Sequence, residues 1–230
     1  MGKPLYIFDF DGVIADSLSL CLQACEYAAS QYGRMLQLER DCWEFLDEVT
    51  FEAMALSLGF EGEMVEGFAG HVFAYNRRAT PPPVFAGMRE ALSELSTCGE
   101  LVVVSANHSG MIAGSLAAAG LADMVTQVIG GEIPGSKSVK LARLLAASSV
   151  AAEDSWMVGD GVSDIRAAHE AGCRAAAVSW GWQSPGRLAS MCPERIVTHP
   201  FELMALAGTA KSIGGDLAAA HDGELHAAEP

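Results

Sequence analysis

Short apolar runs punctuate the chain, and most are followed by small or polar residues and then a helical pattern. Leu5–Phe8, Leu101–Val104, Trp156–Val158 and Arg174–Val178 have the length and near-continuous apolarity of strands buried on both faces. Residues 124–129, Met124–Ile129, form a weaker candidate of the same kind. Helical patterns lie between them at Met88–Thr97, Ser109–Ala119, Ser138–Ala147 and Ser163–Ala171. Gly99, Gly120 and Gly172 stand just beyond three of these, where a glycine adopts the left-handed conformation that ends a helix cheaply. Strand and helix in alternation predict an α/β fold, a doubly wound parallel sheet of Rossmann-like type.

The alternation breaks off between about Asp16 and Ala79, where no strand-like run occurs and the pattern is purely helical. Helices are predicted at Ser17–Tyr32, Arg40–Glu48, Thr50–Leu58 and Glu63–Arg78, and Thr80-Pro81-Pro82-Pro83 then reads as a stiff linker. The expected organisation is therefore a core domain from residues 1–15 and 81–208, with a small α-helical cap domain of residues 16–80 inserted after the first strand. Residues 209–230 shift to Gly, Ala, Asp, Glu and His without periodicity, which predicts a loose tail.

Composition narrows the range of functions. The 230 residues are 50% hydrophobic and 19% charged, enough to build a buried core. A formal charge of −15 without a basic cluster argues against a nucleic-acid binder. No apolar run approaches the roughly 18 to 20 residues a membrane-spanning helix requires. Only Met1–Pro4 precede the first apolar run, so no signal peptide is expected and the chain reads as soluble and cytoplasmic. The six cysteines form no CxxC pair. Cys21 and Cys25, one helical turn apart in an apolar stretch, are expected as buried free thiols.

Four polar sites carry candidate chemistry. Asp9-Phe10-Asp11-Gly12-Val13 directly follows the first strand run, where open α/β sheets bind ligands. Two aspartates at that spacing can converge on one hard cation, one by its side chain and the other through its carbonyl, while Gly12 allows a tight turn and close approach. Gly159-Asp160-Gly161-Val162-Ser163-Asp164 places two more carboxylates between a strand and a helix. The competing use is ordinary: Asp160 as a turn residue and Ser163 or Asp164 as a helix cap. Ser105, in Val104-Ser105-Ala106-Asn107, offers a hydroxyl and backbone N–H groups suited to phosphoryl oxygens, or Ser105 or Asn107 simply caps the next helix. Lys137, after a Gly/Pro-containing loop, could neutralise a phosphate or, like most lysines, simply be solvated, with Lys140 as its competitor one turn on.

Taken in order, Asp-x-Asp, Ser, Lys and Gly-Asp-x-x-x-Asp resemble the four signature motifs of the haloacid dehalogenase superfamily. Residues Phe8 to Ser17 resemble its first motif, and Val158 to Gly172 its fourth with the helix that follows. The helical insert matches the family's C1 cap position, and Val178-Ser179-Trp180-Gly181-Trp182 resembles a segment of phosphoglycolate phosphatase-like members. The resemblance spans about residues 5 to 205 and implies a Mg2+-dependent phosphatase. It implies that Asp9 is the nucleophile that becomes an aspartyl-phosphate and that Asp11 is the general acid and base. Mg2+ would be held by Asp9, Asp11 and Asp160, with Asp164 orienting a water or Lys137. Gly12, Ser105, Ala106, Asn107 and Lys137 would bind the phosphoryl group.

Within the superfamily, Asp11 separates the chain from dehalogenating members, and the absence of lysine from Asp16–Ala79 counts against the phosphonate-cleaving branch. A β-phosphoglucomutase-like sugar phosphomutase and a pyrophosphatase share the core apparatus and remain alternatives, as does a catalytically silent phosphate-binding relative. The expected partner is a small phosphorylated metabolite, phosphoglycolate being the leading choice, acted on by a monomer or homodimer without nucleic acid or membrane. A substrate carboxylate would want one of the cap's four arginines, Arg34, Arg40, Arg77 and Arg78, in the cleft. Trp43, Phe45 and the methionines of the insert are expected in its core, and His71 and His108 are weaker candidates for substrate contact.

Overall fold

The computed structural model describes residues 3–211. Six parallel strands form one sheet: β1 (Leu5–Phe8), β2 (Glu100–Val104), β3 (Val125–Ile129), β4 (Trp156–Gly159), β5 (Arg174–Val178) and β6 (Arg195–Val197), in the order β3-β2-β1-β4-β5-β6. The near-continuous apolar runs resolve into a period of two with both faces covered. Tyr6, Phe8, Leu101, Val103, Trp156, Val158, Ala176 and Val178 face one hydrophobic cluster, completed by Met88, Leu92 and Leu95 of the helix Met88–Cys98. Leu5, Ile7, Val102, Val104, Met157, Ala175 and Ala177 face the other, completed by Leu141 and Ile165. Burial on both faces is why strand and core signals coincide in the sequence. The edges are weaker: β3 is only partly buried, and the three-residue β6 has no run long enough to announce itself.

The helices are α1 (Leu18–Ser30), α2 (Phe51–Ser57), α3 (Glu63–Asn76), α4 (Met88–Cys98), α5 (Ser109–Ala118), α6 (Lys137–Ala147), α7 (Val162–Ala171) and α8 (Pro185–Ser190). The first three build the insert after β1. Cys21, Ala24, Cys25, Ala28 and Ala29 of α1 repeat at three- and four-residue spacing and meet Phe68, Ala69 and Val72 of α3 around Trp43, Met54 and Phe60. Cys21 and Cys25 are buried and free. The chain enters and leaves the insert side by side: Asp16 N–H donates to the Pro83 carbonyl at 2.8 Å and Phe85 N–H to the Ile14 carbonyl at 3.1 Å.

Three local expectations require correction. Residues Arg40–Glu48 do not form a helix; a single 3₁₀ turn, Arg40–Trp43, is followed by irregular chain. Gln183 explains this, since its side-chain amide donates to the Trp43 and Leu46 carbonyls at 3.0 and 2.7 Å and holds the segment against the sheet domain. With Trp43 and Leu46 turned inward, Phe45 points to solvent at 81% exposure, and Met35 and Met64 are exposed as well. Gly120 and Gly172 take positive φ after their helices, whereas Gly99 is extended at φ −149°. Gly99 is instead a packing glycine, because a Cβ there would overlap Tyr6 and the Pro4 carbonyl. Residues 212–230 of the expected tail lie outside the described residues, and residues 209–211 belong to the 3₁₀ stretch Pro200–Lys211.

Candidate active site

The chain runs outward from β1 through β2 to β3, then returns to start again on the other side of β1 with β4. That reversal opens a crevice at the carboxyl ends of β1 and β4, the usual ligand position in a doubly wound sheet. Asp9 immediately follows β1, and its N–H donates to the Val158 carbonyl of β4 at 2.9 Å. Asp160 immediately follows β4. The two carboxylates that the sequence separates by 151 positions therefore sit on adjacent strand ends.

Close backbone approach makes this possible. Gly12 has φ +78°, and a Cβ on it would overlap the Asp160 Oδ2 atom and lie 2.9 Å from Trp182 Cδ1. A Cβ on Gly181 would likewise overlap Asp160. Asp160 Oδ2 accepts a hydrogen bond from the Trp182 N–H at 2.6 Å. The Trp180-Gly181-Trp182 segment thus forms the floor beneath Asp160, and Trp180 Nε1 donates to the Val13 carbonyl at 3.2 Å.

Asp164 combines its two possible uses. Gly161, not Asp164 or Ser163, is the N-cap of α7; Asp164 stands inside the first turn and its Oδ2 accepts from the Gly161 N–H at 3.0 Å. Its other oxygen meets Lys137 Nζ, which also donates to Asp9 Oδ2 at 2.8 Å. Lys137 is the first residue of α6, one earlier than the periodicity predicts, with Ser136 as its cap. Lys140 turns away and donates to the Gly130 carbonyl at 2.9 Å. The geometry therefore joins Lys137, rather than Lys140, to the carboxylates.

Asp9, Asp160 and Asp164 each offer an oxygen within 4.8 Å of the others. Burial pushes the Asp160 carboxyl well above the usual range, and neighbouring Asp164 and Asp9 push it further. Burial raises Asp164 to about 6, against the opposing pull of Lys137. Burial alone would lower Lys137, but Asp164 and Asp9 outweigh it and hold its ammonium firmly charged. Three hard oxygen donors crowded together, with a single ammonium to balance them, suit a small divalent cation such as Mg2+.

The Asp11 side chain has a different partner. Its carboxylate lies outside the three-oxygen cluster and accepts from Asn107 Nδ2 at 2.9 Å. The Asp11 carbonyl is the oxygen through which the sequence spacing predicts that one of the two aspartates meets a cation. Burial raises the Asp11 carboxyl to about 6, against the opposing hydrogen bonds of Ser17 and Asn107. Ser105 is buried and its Oγ accepts from the Asn107 N–H at 3.3 Å. Neither caps α5. His108 does so, its Nδ1 accepting from the Gly110 N–H at 3.2 Å.

A small cavity of about 30 Å3 touches Asp9, Asp11, Ser105, Ala106 and Asn107 on the sheet side. Val49, Thr50, Phe51, Glu52 and Phe73 close it from the insert, with Trp43 and Trp182 at the back. A larger cavity of about 420 Å3 shares Thr50, Glu52, Phe73 and Ser105 and continues toward His108, Glu132 and Lys140. Thr50, Glu52, Phe73 and Gln183 were not distinguished by the sequence pattern. Only Thr50 had a local signal, as the cap of α2.

None of the insert's arginines lines either cavity. Arg34 donates to the Leu58 and Gly59 carbonyls and lies 4.1 Å over the Phe60 ring. Arg40 donates to the Trp180 and Gly181 carbonyls. Arg77 lines a third cavity, of about 310 Å3, which Asp11 and Asn107 also line, and Arg78 is exposed. His71 packs edge-on against Tyr32 within the insert.

Comparison with known proteins accords with this geometry. A family profile described as haloacid dehalogenase-like hydrolase matches residues 6–178. The chain is 27% identical over 202 residues to a phosphoglycolate phosphatase of Synechococcus elongatus, covering 86% of this chain and 94% of the relative. A phosphoglycolate phosphatase of Vibrio cholerae is also 27% identical, over 204 residues, covering 83% of this chain and 90% of the relative. Among solved structures, a haloacid dehalogenase-like family hydrolase from Streptococcus pneumoniae superposes with a TM-score of 0.78 at 18% identity, covering 88% of this chain and 97% of the other.

Proposed function

This chain belongs to the haloacid dehalogenase-like hydrolases and acts on phosphoric monoesters, and on that premise we propose a Mg2+-dependent phosphatase that works through an aspartyl-phosphate on Asp9. The observation that carries the reading is the convergence of Asp9, Asp160, Asp164 and Lys137 at the sheet's switch point, with Asp11 beside them but outside the cluster. The helical insert serves as a cap over this crevice. Asp9, Asp160 and Asp164 would hold Mg2+, with the Asp11 carbonyl as a further oxygen; when bound, the ion offsets the charge of the phosphoryl oxygens and of the attacking carboxylate.

The protein's own residues account for the rest. Lys137 and the Ser105–Asn107 turn receive phosphoryl oxygens and align phosphorus with Asp9. An Asp9 oxygen bonds to phosphorus while the bond from phosphorus to the alcohol oxygen breaks, and Asp11 delivers its proton to that departing oxygen. Asp11, now a carboxylate, takes a proton from water as the water attacks phosphorus, and the bond from Asp9 to phosphorus breaks to free inorganic phosphate. A carboxyl raised to about 6 suits both roles, since it can be found in either state near neutrality. Phosphoglycolate is the first compound to assay, given the relatives' names, and of the cap arginines Arg77 shares a cavity with Asp11 and Asn107.

The test is phosphate release from a panel of small phosphomonoesters, pyrophosphate included, with Mg2+ and with EDTA, beside Asp9→Asn. Metal-dependent release that disappears in the variant supports the reading. Folded, Mg2+-supplied protein that releases nothing would overturn it, and phosphoryl exchange between sugar phosphates in its place would mark a mutase.

A further inference from the structure

The leaving-group side of the cleft has an unusual charge pattern for an enzyme of phosphate esters. Glu52, the second residue of α2, lines both the small cavity around Asp9 and Asp11 and the larger one that opens from it. Among the described residues no side-chain hydrogen bond or ion pair engages its carboxylate. The other acidic groups of the larger cavity are occupied at its rim: Glu48 lies 3.2 Å from Arg166, and Glu132 accepts from the Ser109 N–H at 3.1 Å.

The cations there are committed too. Lys137 is bound to Asp9 and Asp164, and Lys140 to the Gly130 carbonyl. No arginine lines either cavity. His108 spends its Nδ1 on the Gly110 N–H. Within these two cavities a carboxylate on the leaving group would therefore meet Glu52 with no arginine beside it, Arg77 standing in the adjoining cavity that Asp11 and Asn107 also line. A group with N–H or O–H donors would meet an open acceptor in a wall that Thr50 and Phe73 also line.

Resting on the phosphatase reading above, we propose that Glu52 determines specificity, and that the substrate is the phosphomonoester of an amino alcohol whose ammonium pairs with it. The cation would sit within a few bonds of the ester oxygen, because Glu52 borders the same small cavity as Asp9 and Asp11. The acceptor also disfavours acids such as phosphoglycolate, which separates this chain's selectivity from the names of its relatives. Phe73 at the same wall adds an aromatic face toward which a cation is attracted.

Three esters of similar size test this: 2-aminoethyl phosphate, 2-hydroxyethyl phosphate and phosphoglycolate, compared by kcat/KM with Mg2+ at moderate ionic strength. The expected order is ammonium over hydroxyl over carboxylate, with about five- to tenfold between neighbours, as a partly solvated charge contact allows. Glu52→Gln should bring the ammonium-to-carboxylate ratio to within about threefold, and Glu52→Lys should reverse it, with added salt compressing the wild-type ratio. Because ratios are compared, any loss common to all three esters cancels. Wild-type preference for phosphoglycolate, or a ratio untouched by Glu52→Gln, would overturn the proposal. Turnover of 4-nitrophenyl phosphate distinguishes the two levels: if it is Asp9-dependent and the charge order is absent, only the role of Glu52 fails; if no ester is cleaved, the phosphatase reading fails and this proposal with it.

Discussion

Replacing Asp11 with asparagine should make the metal-free protein more stable above neutral pH while disabling it. The folded state raises this carboxyl from the ordinary 3.8 to about 6, chiefly by burial. Folding therefore favours the protonated form. The cost is absent below the unfolded value, grows between the two values, and is fully present above about 6. Moving the carboxyl from 3.8 to about 6 corresponds to about 3 kcal/mol, and partial solvent contact reduces this to about 1–3 kcal/mol. Asparagine keeps the shape, has no charge at any pH, and can still accept from Asn107 Nδ2 through its own oxygen. Thermal melts in EDTA at about pH 7.5 should place the variant about 3–9 °C above wild type, with the gap closing near pH 4. Phosphate release should fall about 10²- to 10⁴-fold, the usual worth of a general acid and base. A variant that melts below wild type at the higher pH, or a gap of equal size at both, would mean that burial does not burden this carboxylate.

The remaining predictions concern the frame of the site. Lys137→Met leaves Asp9 and Asp164 facing each other without their shared cation, and should cost about 3–5 kcal/mol in EDTA. Mg2+ should recover more melting temperature in that variant than in wild type, and equal recovery would argue against the carboxylates as the ion's ligands. Gly12→Ala puts a Cβ where Asp160 already lies, at a φ of +78°, so a loss of at least about 1 kcal/mol in denaturant melts is expected together with weakened Mg2+ stabilisation. Gln183→Ala removes the donor of two bonds to the cap segment and the acceptor at the Val162 N–H. Buried groups left unpaired should cost about 1–3 kcal/mol and raise protease cleavage within Arg40–Thr50, and an unchanged digestion pattern would show that the segment is held by other means.

The strands of the sheet centre were legible because burial on both faces leaves an apolar run that needs no partner to be recognised. Leu5–Phe8 appears in the structure as anticipated, and the Ala-rich Arg174–Val178 does so despite weak strand propensity, because packing decides. Edge strand β6 and helix α8 were not legible, being three and six residues long. The segment Arg40–Glu48 carried a helical pattern that the structure overrides. Its carbonyls are taken by a glutamine some 140 positions away, and no local pattern can report a competitor so distant.

The candidate site divides along the same line. Asp9, Asp160 and Asp164 could be chosen from sequence because each lies at a strand end or in the turn that follows, and chain order alone fixed their motif. Sequence by itself determined the central strands, most of the longer helices and which carboxylates are available, all local properties of polarity and period. Tertiary structure decided what depends on direction and distance. It paired the Asp11 carboxylate with Asn107, gave Lys137 and not Lys140 to Asp9, and set Glu52 in the cavity around Asp9 while placing Arg77 in the neighbouring one beside Asp11. Side-chain direction depends on backbone turns and long-range packing, and the charge a substrate meets is the sum over segments that only the folded chain brings together.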